Sequence, residues 1–284
     1  MKAKLLWFLT ALAVVLALHH DYLWRGFYED DFNFLGTADQ GFYCAQVTRW
    51  EDWFGFWSPV RGWFYRPVFL NYFAIVSLVF GPSPVVLHAG GLILHAAIIT
   101  SLGWLVWRLT GGAAIAISCA AAFTYWPNKS DAVWWIASHS TLLAALFSLA
   151  SVHCWLSWRQ ANKHGYYWCS LFCMWLALCS KNDAVSLPVA LLAIDTWHDS
   201  QQGLTLRSWL QSWHERVLQL IPFAFLFVVY IGLEFTAARY YSIHGDTDVQ
   251  GLTGGTTMSR VFAAGELLEK LWLKVLPFVP PGLV

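Results

Sequence analysis

Charge is what this sequence has least of. Charged residues fill 12% of its 284 positions, where a soluble globular domain carries about 25%. The few charges balance, 17 basic against 17 acidic. That excludes a polybasic tail and gives no sign of nucleic-acid binding. Cysteine pairing is also missing. None of the six cysteines stands in the CxxC spacing of a zinc or redox site. Cys44 lies in a polar stretch; Cys119, Cys154, Cys169, Cys173 and Cys179 sit in apolar runs. Cys169 and Cys173 are four apart and share a helix face, which reads as helix packing. Disulfides are not expected.

Apolar and aromatic residues fill the space that charge leaves. The chain is 58% hydrophobic, with 19 Trp and 11 Tyr, the amphipathic rings that collect where a membrane meets water. A span needs about 20 apolar residues. Runs at 4–20, 85–107, 132–158 and 217–237 approach or exceed that length. Shorter ones lie at 67–80, 112–126, 166–180 and 184–197. The expectation is an all-α integral membrane protein of about eight membrane-embedded helices, forming a single module over 1–284. The first run resembles a signal peptide but is read as an uncleaved helix, with Lys2 and Lys4 holding the N-terminus in the cytoplasm. Residues 42–57 suit either a short interfacial helix or an irregular loop with Trp anchors. Residues 239–260 are polar and glycine-rich, and 261–284 read as an amphipathic or re-entrant piece.

The positive-inside rule groups the polar breaks. Lys2, Lys4, Arg108, Arg159, Lys163, Arg207 and Arg216 belong on the cytoplasmic side. The loop at 21–66, together with 127–131, 181–183 and 239–260, belongs on the other. Counting both 67–80 and 85–107 as full crossings would put Arg108 outside. Either 67–84 does not cross fully, or Arg108 misleads.

The stretch from Tyr22 to Pro67 is too polar for a span. It begins with Glu29-Asp30-Asp31 and ends on Tyr65-Arg66-Pro67. Ionisable groups at membrane depth are expensive and mark candidate sites. On the inferred outer side Glu29, Asp30, Asp31, Lys129, Asp131, His139, Lys181 and Asp183 converge, joined by Arg66. Moving a sugar from a lipid phosphate requires a carboxylate to take the acceptor's proton and a cation to hold the departing phosphate. The acid triplet supplies the first, and Arg66 or a lysine the second. Read alone, the triplet is a solvated loop or a helix N-terminal cap sooner than a site. His88 and His95, seven apart on one helix face, read as a polar contact between helices, without a third residue to complete a metal site. Asp195 reads as a structural cap.

Five stretches together resemble the GT-C superfamily of integral-membrane glycosyltransferases, nearest to bacterial relatives of the TMTC-type protein O-mannosyltransferases. Asp30-Asp31-Phe32-Asn33-Phe34-Leu35 is similar to the acidic motif of the first external loop. Tyr65-Arg66-Pro67-Val68 is similar to the basic-Pro motif that opens the second helix. Pro84 to His88, with Leu94-His95-Ala96, resembles the helix-three signature. Trp126-Pro127 through Asp131 to His139, then Leu142 to Phe147, resembles the external turn and its helix. Ser180-Lys181-Asn182-Asp183, with Leu187-Pro188 and Asp195, resembles a later block. These lie in family order over most of 20–200.

The resemblance implies that Asp30 or Asp31 is the catalytic carboxylate and that Arg66 holds the lipid phosphate, with Lys181 beside it. Glu29, Lys129, Asp131, His139 and Asp183 would line the cavity. It also implies a polyprenyl-phosphate-linked sugar as donor, surrounding membrane lipids, and the bacterial inner membrane as location. Some members of the superfamily use a divalent metal and others do not; no metal ligands are assigned here. The chain departs from the pattern at Trp126 and Lys129 in the external turn, at Ser138-His139 and Thr141, and at Asn182. Relatives generally continue with more spans and a soluble domain, so a truncated or minimal form is expected. The competing reading is a GT-C-like protein that has lost catalysis and serves as a structural subunit beside other membrane-protein subunits. A transporter is the weakest reading, because neither an internal repeat nor paired broken helices are visible.

Overall fold

The computed structural model describes residues 2–28, 31, 57–59, 64–125, 130–201 and 213–244. It is all-helical, with no strand among the described residues. The helices are α1 (Lys2–His19), α2 (Pro67–Phe80), α3 (Pro84–Thr110), α4 (Ala113–Tyr125), α5 (Ser130–Trp134), α6 (His139–Ala161), α7 (His164–Leu178), α8 (Leu187–Gln201) and α9 (Trp213–His244). Short 3₁₀ turns precede α6 and α8 and follow α1.

Local chemistry sets many of the boundaries. Pro67 and Pro84 open α2 and α3, where a missing N–H costs nothing. Gly111 adopts φ 68° and its N–H closes α3 on the Trp107 carbonyl, a left-handed cap that favours glycine. Asn162 caps α6 in the same way at φ 48°. The long run expected at 132–158 is not one helix. It breaks at Trp135, passes through a 3₁₀ turn at Ile136–Ser138, and restarts at His139. The Asp31 carboxylate takes the Ala137 N–H at this break, an acceptor from outside the run that its apolar pattern does not reveal. Arg159 belongs to α6, so the turn there is only Asn162-Lys163. The run expected at 217–237 extends to Trp213–His244 with Pro222 inside it.

Four segments are long and apolar enough to cross a membrane: Leu5–Trp24, Pro84–Thr110, Ile136–Ala161 and Trp213–Arg239. This is compatible with a multi-pass membrane protein. Length and composition support four crossings among the described residues and do not confirm the expected count of about eight membrane-embedded helices; α7 and α8 have 15 residues each. α3 and α6 lie at the centre, with 44% of their apolar stretches buried. α1 and α9 lie at the edge, with 11%. Large side chains such as Leu5, Leu6, Phe225, Val228 and Phe235 are exposed there, as expected of helices facing lipid.

Three apolar clusters tie the helices together. Val15, Leu92, Ile98, Ala120 and Leu142 join α1, α3, α4 and α6. Phe69, Phe73, Leu87, Ile136 and Leu143 join α2, α3 and α6. Trp155, Leu171, Met174, Leu191, Phe223 and Tyr230 join α6, α7, α8 and α9. Polar pairs add to the packing. Ser151 and Ser170 each donate a hydroxyl to the other's carbonyl, at 2.8 and 2.9 Å, the small-residue contact that lets membrane helices approach closely.

One end of the bundle gathers the basic residues. Arg108 donates to the His153 carbonyl at 3.0 Å, to Ser157 at 3.1 Å and to Gln160 at 2.7 Å. Arg159 meets Asp195 at 2.9 Å. Arg216 meets Asp195 at 3.3 Å and also pairs with Asp199. Asp195 is therefore a buried junction of three helices rather than a local cap. The position of α2, which has 14 residues, bears on the parity question over Arg108. α2 starts beside the end of α7, where the Val68 N–H bonds the Cys179 carbonyl at 3.1 Å. It then doubles back against the first turns of α3, with Tyr72 against Gly90. It forms a half-hairpin at one end, which leaves Arg108 with Arg159 and Arg216.

Candidate functional site

The end of the bundle opposite Arg108 is built around the first turn of α6. Asp31 is almost fully buried. One carboxylate oxygen accepts the Ala137 N–H at 2.7 Å, and the other accepts the Tyr28 N–H at 2.9 Å. The Asp31 N–H in turn bonds the Tyr28 carbonyl at 2.9 Å. The carboxylate thus fastens the segment after α1 to the break before α6. Tyr28 packs edge-on against Trp134 and Trp135. Arg25 lies over the Tyr22 and Trp134 rings at 4.6 and 5.0 Å. Asp131 is exposed and accepts from the Trp134 indole at 3.1 Å.

One turn into α6, Thr141 accepts the Lys181 ammonium at 2.7 Å. Lys181 also meets Asp183 at 3.4 Å. The 180–183 break therefore abuts the start of α6, as the grouping of polar breaks predicts. Arg66 caps α2 two residues before the Val68–Cys179 bond and lies over the Phe64 ring at 4.4 Å. The neighbouring Tyr65 N–H bonds Glu234 of α9 at 2.8 Å. Arg66 lies within electrostatic reach of the same carboxylate. Burial pushes the Tyr65 hydroxyl up to about 12, so it stays a donor, bonding the Trp57 carbonyl at 3.3 Å. Glu234 was not singled out in the sequence. A carboxylate near the end of an apolar run was its only signal.

Beneath this rim lies a buried polar cluster. His139 of α6, His88 of α3 and Tyr72 of α2 are turned into the bundle. The Tyr72 hydroxyl lacks a hydrogen-bond partner among the described residues; the His139 ring lies by the Val133 backbone and the His88 ring by the backbone of Arg25 and Gly26. His139 and His88 are at most 1% exposed. The Tyr72 and His139 rings stand 6.1 Å apart. Gly90 and Gly91 make the approach possible, since a Cβ there would collide with the Tyr72 hydroxyl and the His139 ring. Buried polar atoms are ordinarily satisfied by protein or by ordered water. Two histidines and a tyrosine turned inward make a polar cluster in an apolar setting. His95 is not part of it; it packs edge-on to His19 and stacks on Phe123.

Of the residues singled out in the sequence, Asp31, Asp131, His139, Lys181 and Asp183 meet around α6, with Arg66 at the adjoining α2–α7 contact. Glu29, Asp30 and Lys129 lie outside the described residues, as do Trp126 and the segments 42–56 and 245–284. No family model, curated protein or solved structure matches the chain.

Proposed function

We propose that the chain is a GT-C-type membrane glycosyltransferase that moves a sugar from a polyprenyl-phosphate donor to an acceptor on the external face of a bacterial inner membrane. The reading is carried by one observation: the start of α6 draws Asp31, Lys181, Asp183 and His139 together, next to the Arg66 corner. Acids and cations share one end of the bundle at the level where a lipid headgroup would sit. Thr141 stands where the resemblance expects an acid, and it still holds the Lys181 ammonium.

In the proposed reaction the acceptor hydroxyl loses its proton to the carboxylate of Asp30. Its oxygen forms a bond to the sugar's anomeric carbon as the bond from that carbon to the phosphate oxygen breaks. Arg66 and Lys181 take up the charge on the departing polyprenyl phosphate. Asp31, whose oxygens serve two backbone N–H groups, anchors the backbone next to Asp30 in sequence. The N-terminus and the Arg108 end are cytoplasmic in this scheme, following the clustering of basic residues.

A second reading is favoured by the same carboxylate. Asp31 is committed to backbone capping and Arg66 to Phe64 and Glu234, as suits a GT-C-like subunit that has lost catalysis and keeps its architecture for other membrane subunits. The deciding experiment is transfer of a radiolabelled sugar from a polyprenyl-phosphate donor by purified protein in lipid nanodiscs. The transferase reading predicts turnover that falls at least 100-fold in Asp30→Asn and at least tenfold in Arg66→Ala. Equal background release by wild type and Asp30→Asn would leave the structural-subunit reading standing.

A further inference from the structure

Away from the rim, α6 and α7 bring three cysteines together. The sulfurs of Cys154, Cys169 and Cys173 all lie within 4.8 Å of one another, and those of Cys154 and Cys169 are 3.2 Å apart. The sequence shows only half of this arrangement, the one-turn spacing of Cys169 and Cys173. Cys154 enters from the neighbouring helix because Ser151 and Ser170 lock the two helices closely together, one turn away. None of the three is in a disulfide.

We propose that these three thiols form a binding site for a single soft, monovalent metal ion, Cu(I), in trigonal sulfur coordination. Three sulfurs about 2.3 Å from a shared ion stand about 4 Å apart in a trigonal plane, and the three here all lie within 4.8 Å of one another. Ligand softness selects the metal. Thiolates favour Cu(I) and zinc, but structural zinc requires four ligands. Among the described residues no further Cys, His, Asp or Glu joins the group. His153, next in sequence, turns away to the Ser101 carbonyl. Cu(I) is satisfied by three thiolates and needs no water in an apolar helix pair.

Charge and compartment agree with this assignment. Binding releases thiol protons and leaves an anionic centre. Arg108 lies within electrostatic reach of Cys154 and is held on α6 through the adjacent His153 carbonyl. The cluster sits toward the Arg108–Arg159 end, the cytoplasmic end by the clustering of basic residues, where thiols stay reduced. Cys169 is exposed on the bundle surface. The site is separate from the α6 rim and stands whether or not the chain transfers sugar.

The test is an anaerobic titration of purified, reduced protein with Cu(I), in competition with the chromogenic chelator bicinchoninate. The expected result is one Cu(I) per chain, with an X-ray absorption spectrum showing a single shell of three sulfurs. Cys154→Ser and Cys173→Ser should each weaken binding at least tenfold, while Cys119→Ser, on α4, leaves it unchanged. Cys169→Ala, at an exposed position, gives the same loss without disturbing the core. Three results would overturn the proposal: no Cu(I) retained against the chelator, retention unchanged in Cys154→Ser and Cys169→Ala, or a four-coordinate zinc bound in preference to Cu(I).

Discussion

A buried carboxylate can act on a substrate or hold the backbone, and Asp31 holds the backbone. Both oxygens are within 3 Å of main-chain N–H groups from two separate segments. Truncating it strands two donors in a nearly dry place, which costs about 1–3 kcal/mol for a group left unsatisfied. Asp31→Ala should therefore unfold at a clearly lower temperature in detergent, while Asp31→Asn, which keeps one acceptor oxygen, should recover part of the loss. Thermal unfolding followed by circular dichroism reads both. Equal stability of Asp31→Ala and wild type would remove the fastening role. The acid triplet is plain in the sequence, but the division of labour within it is not. That Asp31 turns inward depends on where the Ala137 N–H lies, 106 residues away. The same limit applies to Cys154, Glu234 and Tyr72, whose neighbours come from distant parts of the chain.

Among the helices, periodicity and length located nearly every element, because apolar runs in a membrane protein are long and their polar breaks short. What they missed depends on contacts rather than composition. The restart at His139 and the half-hairpin of α2 are set by Asp31 and by the Val68–Cys179 bond. The largest polar junction is the meeting of α6, α8 and α9 at Asp195. Its carboxylate is 2% exposed and takes Arg159, Arg216 and the Trp155 indole. Removing one member of a buried ion cluster leaves charge uncompensated and costs about 3–5 kcal/mol. Asp195→Ala should accordingly be the most destabilising single change at the basic end and should free α9 from α8, raising the rate at which a protease cuts between them. Asp195→Asn should lie between the two. A variant as stable and protease-resistant as wild type would show that the apolar cluster around Trp155 and Phe223 holds these helices without the ions.

For the molecule as a whole, the bundle divides its charges between two ends, and the transferase reading depends on the end where acids and cations meet. The chemistry proposed there follows from one premise, that the α6 rim receives a lipid phosphate. The most direct measurement is native mass spectrometry of protein extracted in mild detergent with its lipids retained. The account predicts a monomer or homodimer that carries a polyprenyl-phosphate species, with occupancy falling at least tenfold in Arg66→Ala and unchanged in Cys119→Ser. Stoichiometric co-purification with unrelated membrane subunits, and no polyprenyl phosphate on the wild-type chain, would contradict it.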